Sequence, residues 1–153
     1  MLDELDTRIV RLLQADGRQT NRQVAAAIGV SPSTSLERVR SLQHRGVIRG
    51  FHADIDLGEV GRPVQALIAV RIRPPSRQNI ERFREWVARL PETLGVFVTS
   101  GVQDFLIHVA VPSTDDLYAF VIDRLTERPE VADVQTSVVY AHLRSHDVAP
   151  ARG

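Results

Sequence analysis

Arg38 and Arg40 stand just downstream of three hydroxyls in a row, Ser33, Thr34 and Ser35, and Arg22 lies one short element upstream. Guanidinium groups donate in pairs to phosphate oxygens or to the acceptors of guanine, and small hydroxyls adapt to either bases or backbone. The chemistry on offer is recognition of a polyanion. Glu37 leaves two readings open: it accepts from a cytosine amine, or it pairs with a neighbouring arginine. Nothing in the order of residues marks a nucleophile with its base, and there is no glycine-rich phosphate loop. His108, His142 and His146 are the histidines that a catalyst or a metal would use. His142 and His146 have a metal-compatible spacing, but no cysteine and no second histidine pair completes a set.

These arginines need a scaffold, and the sequence around them reads as two short helices joined by a tight turn. Thr20 and Gln23 have capping-box spacing, opening a helix through Val24 to Ile28 that Gly29 stops. Ser31 caps a second helix and Pro32 fits its first position, where no amide hydrogen is needed. That helix is expected to run to about His44, with Leu36, Val39 and Leu42 on the core side and Ser33, Thr34, Ser35, Glu37, Arg38, Arg40 and Ser41 toward solvent. A first helix, capped by Asp3 and burying Leu5, Ile9, Leu12 and Leu13, completes a three-helix unit. Val47 to Ile55 is expected to form a small hairpin or wing, and Leu57 to Pro63 a linker.

Beyond Pro63 the period changes. Val64 to Ile72 alternates as a strand, and Ile80, Phe83, Val87 and Leu90 mark one side of a helix. Thr93 to Thr99 and Asp104 to Val111 are strands around a Gly101-Val102-Gln103 turn. Ser113 opens a second helix, and Val131 to Leu143 is the last strand. Strand, helix, strand, strand, helix, strand is the split arrangement of a ferredoxin-like α+β domain. Its helices cover one face of the sheet, and a second subunit is the simplest cover for the other. The boundaries expected are 1–50 for the reader, 51–63 for wing and linker, 64–145 for the sheet domain and 146–153 for a tail.

This order of parts resembles the leucine-responsive and asparagine-synthetase regulators, the feast/famine (Lrp/AsnC) transcription factors. The resemblance covers nearly the whole chain. It is carried by Leu2 to Asp6, Asp16-Gly17-Arg18, Ser31-Pro32-Ser33 through Leu36, Arg38-Val39 and Gly46-Val47-Ile48, and farther on by Ser100-Gly101, Asp104-Phe105 and Thr136. It implies a winged helix-turn-helix followed by an effector and dimerisation domain, in a homodimer that assembles further into tetramers or octamers. Such a protein binds promoter duplex DNA and answers to an amino acid. The DNA contacts would then fall on Arg22, Ser33, Thr34, Ser35, Arg38 and Arg40. The effector site would fall on Gly101, Val102, Asp104, Thr136 and Ser137, with Asp104 facing the ammonium and turn amides or hydroxyls facing the carboxylate. The competing reading is that Asp104 simply closes the hairpin by bonding nearby amides. Val102 and Gln103 stand where the family often carries more polar residues, so the effector is expected to be apolar, unusual or absent.

Two other functions compete: an enzyme similar to haem-pathway decarboxylases, and an architectural DNA binder without a ligand. Composition favours DNA. The formal net charge is zero, yet the first fifty residues hold eight arginines against five acids, net +3, and the remainder eleven against fourteen, net −3. All nineteen basic residues are arginine. No cysteine is present, which excludes disulfides and thiolate metal sites, and no metal or other cofactor is expected. The acidic amino terminus is unlike a secretory signal and no apolar run approaches a membrane span, so a cytoplasmic protein is expected.

Overall fold

The computed structural model describes residues 2–149 and 151, in two compact units. One comprises residues 1–53 with the tail from Leu143, and the other Asp54–His142. The first is built from α1 (Glu4–Ala15), α2 (Asn21–Ile28) and α3 (Pro32–His44). Each helix begins on a capping side chain: Asp3 accepts from the Asp6 amide, Thr20 and Gln23 form the reciprocal box, and Ser31 accepts from the Thr34 amide. Such caps satisfy amides that have no partner within the helix. Ile9, Val24, Ile28 and Leu42 form the core of this unit, with Leu5, Leu13, Val39 and Ile48 packed on it.

The expected hairpin at 47–55 is not formed. Gly46 takes a left-handed φ of 71°, and the amides of Val47 and Ile48 both donate to the Leu42 carbonyl at 2.9 and 3.1 Å. The amides a strand would have used therefore close the end of α3. No residue from 45 to 63 lies in a strand.

The second unit carries β1 (Val64–Ile72), α4 (Arg77–Val87), β2 (Thr93–Val98), β3 (Phe105–Val111), α5 (Thr114–Ala119, continued by a π-helical segment Phe120–Leu125) and β4 (Val131–Val138). The four strands pair antiparallel in the order β2-β3-β1-β4, the ferredoxin-like arrangement. Ala66, Ile68, Val70 and Ile72 point to the helix side and pack with Phe83, Val87, Phe105, Ile107, Leu117, Phe120 and Leu125. Residues opposite one another in such a pair share a face. By register the other face therefore presents Leu67, Ala69, Leu106, His108 and Phe97, and among the described residues of this unit α4 and α5 pack on the opposite face. β4 ends at Val138, short of Leu143. Val138 lies opposite Ala66 and the Val139 amide takes the Gln65 carbonyl, so β1 has almost no backbone left to pair.

Candidate functional site

In the three-helix unit only Gly29, Val30 and Ser31 separate α2 from α3. Gly29, with φ 75°, reverses the chain, and the Asn21 side-chain amide donates to the Pro32 carbonyl at 2.7 Å, tying the start of α2 to the start of α3. The first turn of α3 carries a cluster of hydroxyls, with Ser31 Oγ 3.0 Å from Ser33 Oγ and 2.8 Å from Thr34 Oγ1. Arg22, Ser33 and Arg40 are exposed and Thr34 is half-buried.

The face of α3 differs from the expected one by a fraction of a turn. Ser35, expected toward solvent and toward DNA, is fully buried beside the inward Leu42, and its hydroxyl has no partner among the described residues. From there it cannot reach a base. Leu36, expected in the core, is 38% exposed. The outward stripe is Ser33, Leu36, Glu37 and Arg40, the i, i+3, i+4, i+7 spacing of one helix face. Glu37 and Arg40 form no ion pair among the described residues.

Arg38 is the second departure. Its guanidinium turns inward, bonding Asp3 and, at 3.0 Å, Asp6 Oδ1. Arg45 meets the other oxygen of Asp6 at 3.2 Å. The Asp6 amide and the Arg38 guanidinium, both donating to Asp3, hold its carboxyl below the ordinary range. The hydrogen bonds to Asp3 and Asp6 raise Arg38 above its ordinary value. Sequence spacing does not reveal this network, because Asp3 and Arg38 are joined only by the packing of α1 on α3. Arg8 was also not anticipated: from α1 it donates to the Ala27 carbonyl at 2.7 Å, at the C-terminal end of α2.

In the sheet unit the β2–β3 turn is tightly bonded. The Thr99 amide takes the Asp104 carbonyl at 2.9 Å, Thr99 Oγ1 takes the Gln103 carbonyl at 2.8 Å, and Asp104 N–H takes the Val70 carbonyl at 3.0 Å. Gly101 adopts φ 112°, a region that side-chain-bearing residues rarely enter, and Val102 is 77% exposed. Asp104 Oδ2 accepts the Ile72 amide at 2.7 Å and lies 3.8 Å from Arg73 Nη1, so one carboxylate oxygen clasps the end of β1. Oδ1 makes no hydrogen bond among the described residues.

Thr136 and Ser137 stand elsewhere on the sheet. Thr136 lies opposite Ile68 on the helix side and Ser137 opposite Leu67 on the open side, both exposed on edge strand β4. With β1 between them and a three-residue offset, Asp104 and Thr136 are separated by roughly 14 Å of backbone in one chain. One protomer therefore does not gather the five effector candidates. A cleft of about 520 Å³ between the end of α4 and β2, lined by Arg84, Arg89 and Thr93, contains none of them. His108 Nε2 lies 2.9 Å from Gln65 Oε1, with the His142 ring edge-on at 5.4 Å. No group of three metal-ligating side chains occurs among the described residues, and no helix among them is long and apolar enough to cross a membrane.

Comparison with known proteins agrees with this geometry. Residues 2–43 match an AsnC-type helix-turn-helix domain and residues 65–148 an Lrp/AsnC ligand binding domain. The chain is 43% identical to the HTH-type transcriptional regulator AldR of Mycobacterium tuberculosis over 94% of this chain and 80% of that protein. It is 33% identical to the leucine-responsive regulatory protein of Rhizobium meliloti over 94% and 92%. Its fold is similar to a crystal structure of a transcriptional regulator in complex with L-Met from Neisseria meningitidis, with TM-score 0.87, 31% identity and 95% and 94% coverage. With a capped helix-turn-helix, a four-stranded α+β domain and matches over both halves, the chain belongs to the Lrp/AsnC family of DNA-binding transcriptional regulators.

Proposed function

We propose that the chain reads duplex promoter DNA, as a homodimer or a larger assembly, through the outward stripe of α3, and that an amino acid governs that binding. The carrying observation is the pair of capped helices with Ser33, Leu36, Glu37 and Arg40 turned outward at the start and middle of α3 and Thr34 half-buried beside them. The N-terminal half of a second helix is the part that enters the major groove in this motif. Ser33 and Thr34 serve bases or phosphate, Leu36 offers an apolar contact for a thymine methyl, Arg40 reaches guanine and Arg22 reaches phosphate. The open sheet face with Leu67, Leu106 and Phe97 is the dimer surface. Such a regulator works in the cytoplasm and catalyses no reaction.

The effector binds beside the 99–104 turn, where a second copy supplies what one chain lacks. Asp104 Oδ1 takes the ammonium, the Gly101-Val102 amides take the carboxylate, and Thr136 or Ser137 comes from the neighbouring copy. Val102 suits an apolar side chain, and the complex of the Neisseria relative with L-Met supports that class. A thermal-shift panel of the twenty amino acids, followed by gel shifts with and without each hit, tests the reading. An apolar amino acid is expected to raise the midpoint and alter DNA affinity. Arg40→Ala is expected to cost about 1–3 kcal/mol on a selected site, and Arg22→Ala to weaken selected and scrambled duplexes alike. Unchanged affinity in both variants overturns the assignment of these arginines.

A further inference from the structure

We infer that Asp3 and Asp6 are specificity-determining residues, which withhold Arg38 from DNA phosphate while fixing the reader helix against α1. This rests on the DNA-binding reading above. Asp6 is only 5% exposed, and a carboxylate so desolvated is tolerated only with charged partners. Both partners come from the reader: Arg38 on Oδ1 and Arg45, just beyond the helix, on Oδ2. They are seven residues apart, two turns on one face, so Asp6 grips α3 at two heights.

Asp3 adds a different element. Its side chain is 51% exposed and that of Arg38 33% exposed, so this pair sits at the rim of the unit. Exposed ion pairs contribute little to stability. The apolar core of the unit, Ile9, Val24, Ile28 and Leu42, is formed by other residues. The pair does decide where a long, permanently charged side chain in the middle of the reader helix points. Released, the guanidinium would reach backbone oxygens, which are the same at every sequence, and would strengthen non-specific binding. Held by two carboxylates, it leaves discrimination to the stripe of Ser33, Leu36, Glu37 and Arg40. Specificity is the difference between two affinities, and suppressing the wrong one is a recognised way to gain it.

The test uses the full chain and two duplexes, one selected by the wild-type protein from a random pool and one scrambled, with anisotropy titrations across a salt series. Asp3→Asn keeps a side chain that caps as well as aspartate and deletes only the charge. It is expected to tighten the scrambled duplex a few-fold and to steepen the slope of log K against log salt by about 0.9, one phosphate contact. Asp6→Asn is expected to act in the same direction and to lower the selected-to-scrambled ratio about tenfold. Should it unfold, Asp3→Asn alone carries the test. Glu4→Gln is the control, since Glu4 is exposed on the same turn of α1 and makes no ion pair among the described residues. It removes equal charge and releases no arginine, so its slope should match wild type. Adding Arg38→Gln to Asp3→Asn should restore the wild-type slope. Unchanged slopes, an equal change with Glu4→Gln, or no restoration by Arg38→Gln overturns the proposal while leaving DNA binding intact. A wild-type chain that binds neither duplex removes the DNA-binding reading itself, and this proposal with it.

Discussion

A buried hydroxyl without a partner has given up water and gained nothing in exchange, and Ser35 is in that position inside the three-helix unit. Ser35→Ala is therefore expected to raise the thermal midpoint, by roughly 0.5–2 kcal/mol of added stability. It should also leave DNA affinity unchanged, and a loss of affinity at equal stability would return Ser35 to the DNA surface. Residue types alone set the wrong phase for α3. Leucine before serine on the inside is the usual rule, yet here the smaller side chain is the one enclosed and Leu36 stays outside at 38% exposure. The same holds for Arg38, whose role depends on carboxylates thirty-two and thirty-five residues away that no local pattern connects to it. Asp104 was legible as a turn residue or an anion. Its carboxylate plays neither part within the turn: one oxygen bonds the Ile72 amide on β1, thirty-two residues away, and the proposed effector role rests on the second oxygen.

At the scale of elements the caps were plain in the sequence, because each is a local exchange between a side chain and an amide three residues on. All three reader helices start where the sequence put them. The missing hairpin was not legible: Val47 and Ile48 have strand-forming side chains, but their amides are consumed by the Leu42 carbonyl. Two consequences can be measured. The Asp3 carboxyl is held below its ordinary value, so the stability it contributes is present above that value and is lost as the pH falls through the lowered one. Melts from neutral to strongly acid pH should show the advantage of wild type over Asp3→Asn shrinking at the acid end only. Gly101 has open space around its Cα but a φ of 112°, so alanine there would be strained by backbone conformation alone. Gly101→Ala is expected to cost about 1–3 kcal/mol in denaturant unfolding, and an unchanged midpoint would contradict the required φ.

For the whole molecule, the sheet order followed from the order of elements, while the cover for its open face is something a single chain cannot display. Leu106 sits in the middle of that face, beside Ala69 and Phe97. If the proposed dimer forms through this face, light scattering of the full chain is expected to read a dimer for wild type and a monomer for Leu106→Glu, and an equal mass for the two would move the interface elsewhere. The two units keep separate cores, one around Ile9 and Leu42 and the other around Phe83 and Phe105. Between α3 and β1 the chain runs from Arg45 to Pro63 without helix or strand, and Arg49 is exposed within it. In a chain whose basic residues are all arginine, that irregular stretch, with Arg49 exposed, is where trypsin is expected to cut first. A cut after Arg49 falls between the two apolar cores, so brief digestion is expected to give one fragment with the Ile9 and Leu42 core and one with the Phe83 and Phe105 core, with the tail from Leu143 left on the second.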